Sequence, residues 1–213
     1  MTKSKLLKIA LYLAIITVLY NIVEGVVSVV FGYEDETLAL FGFGLDSFVE
    51  VISGIGVLHM IIRMKSTNVE EHDKFEKTAL RITGIAFYIL TAGLVIGSII
   101  NIVYGIKPDT TLMGMIISTV SIVTMYFLMK AKLKVGNELK SDAIIADANC
   151  TKACFYLSFI LLASSGLYEI FGIAYLDLLG ALGISYFAFK EGREAMEKVK
   201  SNSISCCSSC DTH

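Results

Sequence analysis

The sequence predicts an all-α membrane protein, a bundle of six transmembrane helices with both termini on the cytoplasmic side. The 213 residues are 55% hydrophobic and 18% charged, and their mean hydropathy is +0.69, which is too apolar for a soluble domain of this size. The apolar residues fall into six runs, each close to the roughly 20 residues that a helix needs to cross a bilayer core. Positive residues are concentrated between alternate runs.

The six runs define the predicted helices in order. The first run is too long for a signal peptide and has no small-residue cleavage pattern after it, so we expect it to remain in the mature protein as a helix. The predicted helices are Leu6–Phe31, Thr37–Ile62, Thr78–Tyr104, Thr111–Met129, Ala143–Ser164 and Ile170–Phe189.

The positive charges predict the orientation of the bundle. Sixteen of the eighteen Lys and Arg residues flank the two termini or lie in the connections after helices 2 and 4, the latter holding Lys130, Lys132, Lys134 and Lys140. Loops rich in Lys and Arg stay in the cytoplasm. We therefore predict cytoplasmic termini, with the short connections around residues 33–36, 107–109 and 166–169 facing outward.

The chain is predicted to divide into a transmembrane domain, residues 1–190, and a cytoplasmic charged and cysteine-rich tail, residues 191–213. The tail opens with EGREAMEKVK, which we expect to extend helix 6. It ends in SNSISCCSSCDTH, which has too few apolar residues to fold alone. No second folded domain is predicted.

Helix 2 carries two carboxylates inside the predicted hydrocarbon layer. Asp46 and Glu50, in LFGFGLDSFVEVISG, are four residues apart, so they share one helix face about 6 Å apart along the axis. An acidic residue at the centre of a membrane helix costs about 2.5 to 3.5 kcal/mol and by default indicates function or pairing. Neighbouring helices could satisfy such a pair structurally, although one carboxylate would be easier to satisfy than two.

Helix 5 repeats this spacing with cysteines. Cys150 and Cys154 are four residues apart in DANCTKACFYLSF, and Asp147 lies on the same stripe one turn closer to the cytoplasm. A lone Cys in a membrane helix is more often a packing residue. Opposite Asp46 and Glu50, however, two thiols complete the ligand number and type of a tetrahedral site for a divalent metal such as Zn²⁺.

These features resemble the transmembrane domain of the cation diffusion facilitators, the cation efflux family. The resemblance covers residues 6 to 190 and rests on the six-helix plan, on NIVEGVVSVVFGYEDETLALFGFGLDSFVEVISG and on SDAIIADANCTKAC. It implies a metal/proton antiporter, usually a Zn²⁺ exporter, whose transport site is built from one residue pair on helix 2 and one on helix 5. These pairs would be Asp46 with Glu50 and Cys150 with Cys154, and Asp147 would match an acidic position that commonly precedes the second pair.

Departures from the family's pattern bear on the ion and on assembly. Glu50 stands where an aspartate is usual, and two cysteines stand where zinc exporters typically have His and Asp. Because thiolates favour soft ions, we predict Zn²⁺ or Cd²⁺ as cargo, with Hg²⁺ or Cu⁺ as alternatives. The family's ferredoxin-like domain, which usually helps to hold the dimer together, is absent from the sequence, so a homodimer is left open.

The expected partners are the lipid bilayer, metal ions and protons. The metal is cargo, and we expect no cofactor, no enzymatic activity and no nucleic acid. Two alternatives use the same residues: an intramembrane thiol oxidoreductase with Cys150 and Cys154 as its redox pair, and a metal sensor that binds the ion without moving it. Redox pairs usually lie at helix N-termini, which disfavours the first.

The tail offers a further set of soft ligands. In a reducing compartment its cysteines are expected to be thiols, and their density is typical of a site that captures metal and delivers it to the cytoplasmic mouth. An unstructured end and a palmitoylated anchor are the alternatives. The candidate accessory ligands here are Cys206, Cys207, Cys210 and His213.

Overall fold

A computed structural model describes residues 3–63, 72–139, 142–173 and 175–201. Over these ranges the chain forms six α-helices and no strand, which confirms the predicted all-α bundle. Within the same ranges, five helices contain stretches long and apolar enough to cross a membrane, the sixth helix being the exception. The side on which the termini lie stays a prediction. The helices are α1 Lys3–Glu34, α2 Leu38–Arg63, α3 His72–Tyr104, α4 Leu112–Leu139, α5 Asp142–Phe171 and α6 Tyr175–Ser201.

Some helix boundaries differ from the prediction. Helix α4 continues to Leu139, ten residues beyond the predicted end, and residues 166–169, predicted as an outward connection, belong to α5. Helix α5 is instead followed by Gly172, whose φ of 65° is a conformation that glycine adopts without strain. A prediction from hydropathy ends a helix where polar residues begin. The backbone hydrogen bonds of the helix nevertheless continue through polar residues whose side chains have hydrogen-bond partners.

The charged start of the predicted tail is helical, as expected. Helix α6 runs through EGREAMEKVK to Ser201. Ion pairs four residues apart line its surface, between Lys190 and Glu194 at 3.9 Å and between Arg193 and Glu197 at 3.1 Å. Such exposed pairs contribute little stability, so the extension depends mainly on helix propensity and on its packing against α3.

The helices pack chiefly in pairs, α1 with α2, α4 with α5 and α3 with α6. Helix α2 also contacts α3, α5 and α6, which places it at the centre of the bundle. The core around it is apolar and closely packed, because Leu40, Phe43, Leu94, Leu161 and Ile184 are all almost fully buried. The residues that α2 carries on its inner face are therefore removed from both lipid and water.

Glycines allow the paired helices to approach closely. A Cβ atom on Gly44 of α2 would lie 2.7 Å from the backbone nitrogen of Val29 on α1, closer than atoms can approach without displacement. Between α3 and α6, a Cβ on Gly192 would lie 3.2 Å from the carbonyl oxygen of Gly84. Small residues at contacts are typical of membrane helices, whose association depends on close packing.

Acidic side chains bind the first turns of neighbouring helices at the end of the bundle predicted to face outward. Asp177, in the first turn of α6, accepts hydrogen bonds from the backbone nitrogens of Leu38 at 2.9 Å and Ala39 at 3.3 Å. Glu169, near the end of α5, accepts one from the backbone nitrogen of Thr111 at 2.6 Å. The first N–H groups of a helix lack partners within it, so α6 holds the start of α2 and α5 holds the start of α4.

Candidate metal centre

A cavity between α2 and α5 is lined by all four predicted ligands, Asp46, Glu50, Cys150 and Cys154. Its free space is about 50 Å³, enough for a few water molecules or for an ion that keeps part of its hydration. Asp147, the predicted accessory residue of α5, also lines it. Residues of α1, α3 and α6 complete the walls. The spacing keeps each pair on one helix face, and the packing of α2 against α5 brings both faces to one space.

Helix α2 provides the oxygen side of the cavity. Asp46 is only 3% exposed, and its Oδ1 has no hydrogen-bond partner among the described residues. Glu50 is better satisfied, since its Oε2 accepts a hydrogen bond of 2.9 Å from the side-chain amide of Asn21 on α1. A buried carboxylate oxygen without a partner is costly, so Asp46 is a position where a proton or a cation would be stabilised.

Helix α5 provides the sulfur side, and one thiol connects it to α2. Cys154 is buried and, within the described ranges, is a free thiol. Its Sγ donates a hydrogen bond to Oε1 of Glu50, and it also lies 3.4 Å from the backbone oxygen of Cys150. A proton on this thiol therefore lies between a sulfur and an oxygen that were each predicted as metal ligands.

The side chains border a common space without forming a finished coordination shell. Among the residues that the structure describes, no three His, Cys, Asp or Glu side chains are grouped closely enough to hold a metal ion. Binding would require the pairs on α2 and α5 to draw together around the ion. The assignment of Asp46, Glu50, Cys150 and Cys154 as ligands thus stays a prediction.

Asp147 is bonded to Lys132, which the apolar pattern places outside helix 4. Lys132 is assigned to the connection between helices 4 and 5, which is wrong: it lies within α4 and is 1% exposed. Its Nζ lies 2.9 Å from Oδ2 of Asp147 and 3.0 Å from Oγ1 of Thr151. A hydropathy window ends at a lysine whether or not the lysine is paired. The signal available in the sequence was Asp147, because an acid inside helix 5 requires a cation as its partner.

Glu191 of α6 also lines the cavity, although it is not among the residues predicted for the site. It is assigned to the tail because it follows the last apolar run. Helix α6 packs against both α2 and α5, which brings this residue to the cavity wall. No periodicity in the sequence indicates that packing, so Glu191 could be found only from the tertiary structure.

A further buried acid, Glu24 of α1, differs from Asp46 in being satisfied by neutral donors. Its Oε1 accepts a hydrogen bond of 2.9 Å from the Tyr20 hydroxyl, and its Oε2 accepts one of 3.1 Å from Ser47 on α2. It is not among the residues that line the cavity. Glu24 therefore joins α1 to α2 beside the candidate centre.

The predicted accessory ligands of the tail, Cys206, Cys207, Cys210 and His213, lie outside the described residues, so metal capture by the tail stays a prediction.

Comparison with known proteins gives two findings. The model of a family described as the cation efflux transmembrane domain matches residues 10–201. The chain is also 26% identical, over 186 residues, to a protein of Methanocaldococcus jannaschii described as an uncharacterized transporter. That alignment covers 82% of this chain and 64% of the relative, so the chain spans just under two thirds of the relative's length.

Proposed function

The chain belongs to the cation efflux family, and on that basis we propose that it exports a soft divalent metal cation, Zn²⁺ or Cd²⁺, in exchange for protons. The family match includes almost every described helical residue, so the resemblance drawn from the sequence is confirmed. Members of this family are membrane transporters of metal cations, and this chain is an integral multi-pass membrane protein. The ion, the coupling to protons and the site are our proposal.

The observation that supports the proposal is the cavity between α2 and α5. It brings the carboxylates of Asp46 and Glu50 to the same space as Cys150 and Cys154, the latter a free thiol within the described ranges. Carboxylate oxygen and thiolate sulfur together suit a borderline-soft divalent ion that accepts four ligands. Cu⁺ would prefer sulfur or imidazole alone, whereas Hg²⁺ could use the two thiolates in a linear arrangement, so Hg²⁺ is the second choice of cargo.

The contact between Cys154 and Glu50 supports exchange with protons. Metal ligands must be deprotonated, so metal binding releases protons, and a free thiol with a pKa of about 8.5 carries its proton when no metal is bound. A divalent ion that binds Sγ of Cys154 and Oε1 of Glu50 takes the place of the proton between them. Four anionic ligands would exceed the charge of the ion by two, so at least one ligand keeps its proton.

The transport cycle follows by alternating access. The ion enters from the cytoplasm, displaces protons from the ligand set, and is released outward when the helices rearrange and protons return. The cross-helix bonds of Asp177 and Glu169 hold the predicted outward end of the bundle together. Release to the outside therefore requires those bonds to loosen.

Metal uptake into sealed vesicles tests the proposal, with a pH-sensitive dye inside the same vesicles. Asp46→Ala and Glu50→Ala should each abolish Zn²⁺ and Cd²⁺ uptake and the accompanying proton flux. Insertion should be preserved, because removing a buried acid lowers the cost of insertion. Glu138→Gln, which changes an exposed carboxylate of α4, is the matched control and should transport normally.

The outcomes separate the proposal from its alternatives. Uptake retained in both α2 variants would mean that the carboxylates are structural. Metal binding without uptake by the unmodified protein would indicate a sensor. Thiol–disulfide exchange without uptake would indicate an oxidoreductase. Any of these results would contradict transport through the proposed site.

A further inference from the structure

The ion pair between Lys132 and Asp147 forms part of the wall of the candidate metal centre. Lys132 comes from α4 and is almost completely enclosed. Its partners Asp147 and Thr151, both on α5, line the cavity, and Lys132 itself lies behind them. A fixed positive charge is therefore bonded to the cavity wall where a cation is proposed to bind.

Stability alone does not account for this arrangement. Lysine is almost never fully buried unless it is paired, and a buried ion pair is often no more stabilising than well-packed apolar residues of the same volume. The helices α4 and α5 already share a long contact, to which apolar residues could contribute equally well. We therefore look for the role of the Lys132–Asp147 pair in the cavity that it borders.

The pair separates the cavity's carboxylates into two kinds. Asp147 is bonded to an ammonium group at 2.9 Å, and a metal ion could use this oxygen only by displacing that group. Within the described residues, no ammonium contacts Asp46 or Glu50, because Asp46 Oδ1 has no partner and Glu50 is bonded to an amide and a thiol. An incoming ion can therefore bind these two acids without displacing an ammonium group, whereas Oδ2 of Asp147 is already bonded to Lys132.

We propose that Lys132 is a specificity-determining residue, which holds Asp147 out of the metal's coordination and thereby keeps a third carboxylate out of the ligand set. The inference rests on the proposed function, in that it takes the cavity as the place where the metal binds. Releasing Asp147 would add a third carboxylate, and an oxygen-rich set suits hard ions such as Mn²⁺. Lys132 acts through Asp147 and does not touch the ion.

Equilibrium binding to the purified protein in detergent tests the inference, with Mn²⁺ and Cd²⁺ each measured in competition with a chelator. Lys132→Gln removes the charge but keeps a donor for Asp147. It should raise the affinity for Mn²⁺ relative to Cd²⁺ about tenfold, equivalent to 1.4 kcal/mol. Lys134→Gln, at an exposed position on the same helix, is the matched control and should leave the ratio unchanged.

A double variant shows whether Asp147 is itself a ligand. Lys132→Met combined with Asp147→Asn removes both charges, so it avoids the penalty of a buried charge left without its partner. If Asp147 lies outside the coordination, this variant should bind Cd²⁺ within about twofold of the unmodified protein, with the original ion ratio. If Lys132→Gln proves too unstable to purify, the Cd²⁺ affinity of this double variant still shows whether Asp147 is a metal ligand.

Either of two results would overturn the inference. The first is an unchanged ion ratio in a folded Lys132→Gln protein, and the second is a loss of Cd²⁺ affinity of tenfold or more in the double variant. Binding does not require transport, so vesicle uptake by the unmodified protein reports separately on the proposed function. A shifted ion ratio without any uptake would contradict transport and still support the role of Lys132.

Discussion

Replacing Asp177 by alanine tests whether α6 holds the start of α2 in place. The carboxylate of Asp177 is 1% exposed and accepts hydrogen bonds from the backbone nitrogens of Leu38 and Ala39 at 2.9 and 3.3 Å. A hydrogen bond to a charged group contributes about 1.5 to 3 kcal/mol, and loss of a helix cap costs about 0.5 to 2 kcal/mol. The second bond is long, and removing a buried charge offsets part of the loss. We therefore expect the free energy of unfolding to fall by about 2 to 3 kcal/mol.

Unfolding in mixed micelles with increasing sodium dodecyl sulfate, followed by circular dichroism, measures this change. Asp177→Asn should lose less than Asp177→Ala, because the amide oxygen still accepts one of the two hydrogen bonds. The matched control is Asp109→Asn, at an exposed position in the connection at the same end of the bundle. It should stay within about 0.5 kcal/mol of the unmodified protein, as surface substitutions usually do.

The reasoning is refuted if Asp177→Ala unfolds at the same detergent fraction as Asp109→Asn. The start of α2 would then be stabilised without its partner on α6. The proposed requirement that this contact loosens for outward release would lose its basis at the same time.

Three further predictions concern orientation, ion preference and packing. In a variant otherwise free of cysteine, a cysteine placed near Asp109 should react with an impermeant thiol reagent from outside, and one placed near Asn137 should not. The reverse labelling pattern would invert the topology. Replacing both Cys150 and Cys154 by serine should weaken transport of all soft metals. Cys150→His combined with Cys154→Asp should keep Zn²⁺ transport and reduce Cd²⁺ and Hg²⁺ tolerance. An uptake profile that is unchanged for every ion in the serine variant would mean that both cysteines are packing residues. Gly44→Ala should lower the free energy of unfolding by about 1 to 3 kcal/mol through overpacking against α1. Gly93 has open space around it, so Gly93→Ala should not lower this free energy. Equal stability of the two variants in micelle unfolding would contradict the close α1–α2 contact.

The helices and the candidate centre were largely predictable from local pattern. Apolar runs of bilayer length identify membrane helices because hydrocarbon leaves the backbone few other conformations. The four-residue spacings of Asp46 with Glu50 and of Cys150 with Cys154 fix which side chains share a face, whatever the rest of the fold. Their convergence on one cavity was expected from the family resemblance, because spacing alone cannot place one helix against another.

The parts that could not be predicted depend on contacts between distant segments. Lys132 is polar by any residue scale, and its bonds to Asp147 and Thr151 on the next helix allow it to be buried between α4 and α5. Glu191 follows the last apolar run, and only the packing of α6 against α2 and α5 brings it to the cavity. In both cases a tertiary neighbour brings a charged residue to the candidate centre, and a hydropathy window does not include that neighbour.

Helix α6 links two places that are far apart along the molecule. Asp177 in its first turn binds the start of α2, and Glu191, fourteen residues later, borders the candidate metal centre. At 1.5 Å per residue these positions are about 21 Å apart on one continuous helix. A rigid helix that shifts along its axis, or that pivots anywhere except at the cavity, moves at both of these positions. A movement of α6 of this kind that released the start of α2 would also move a wall of the cavity, so the outward end of the bundle and the candidate centre would change together.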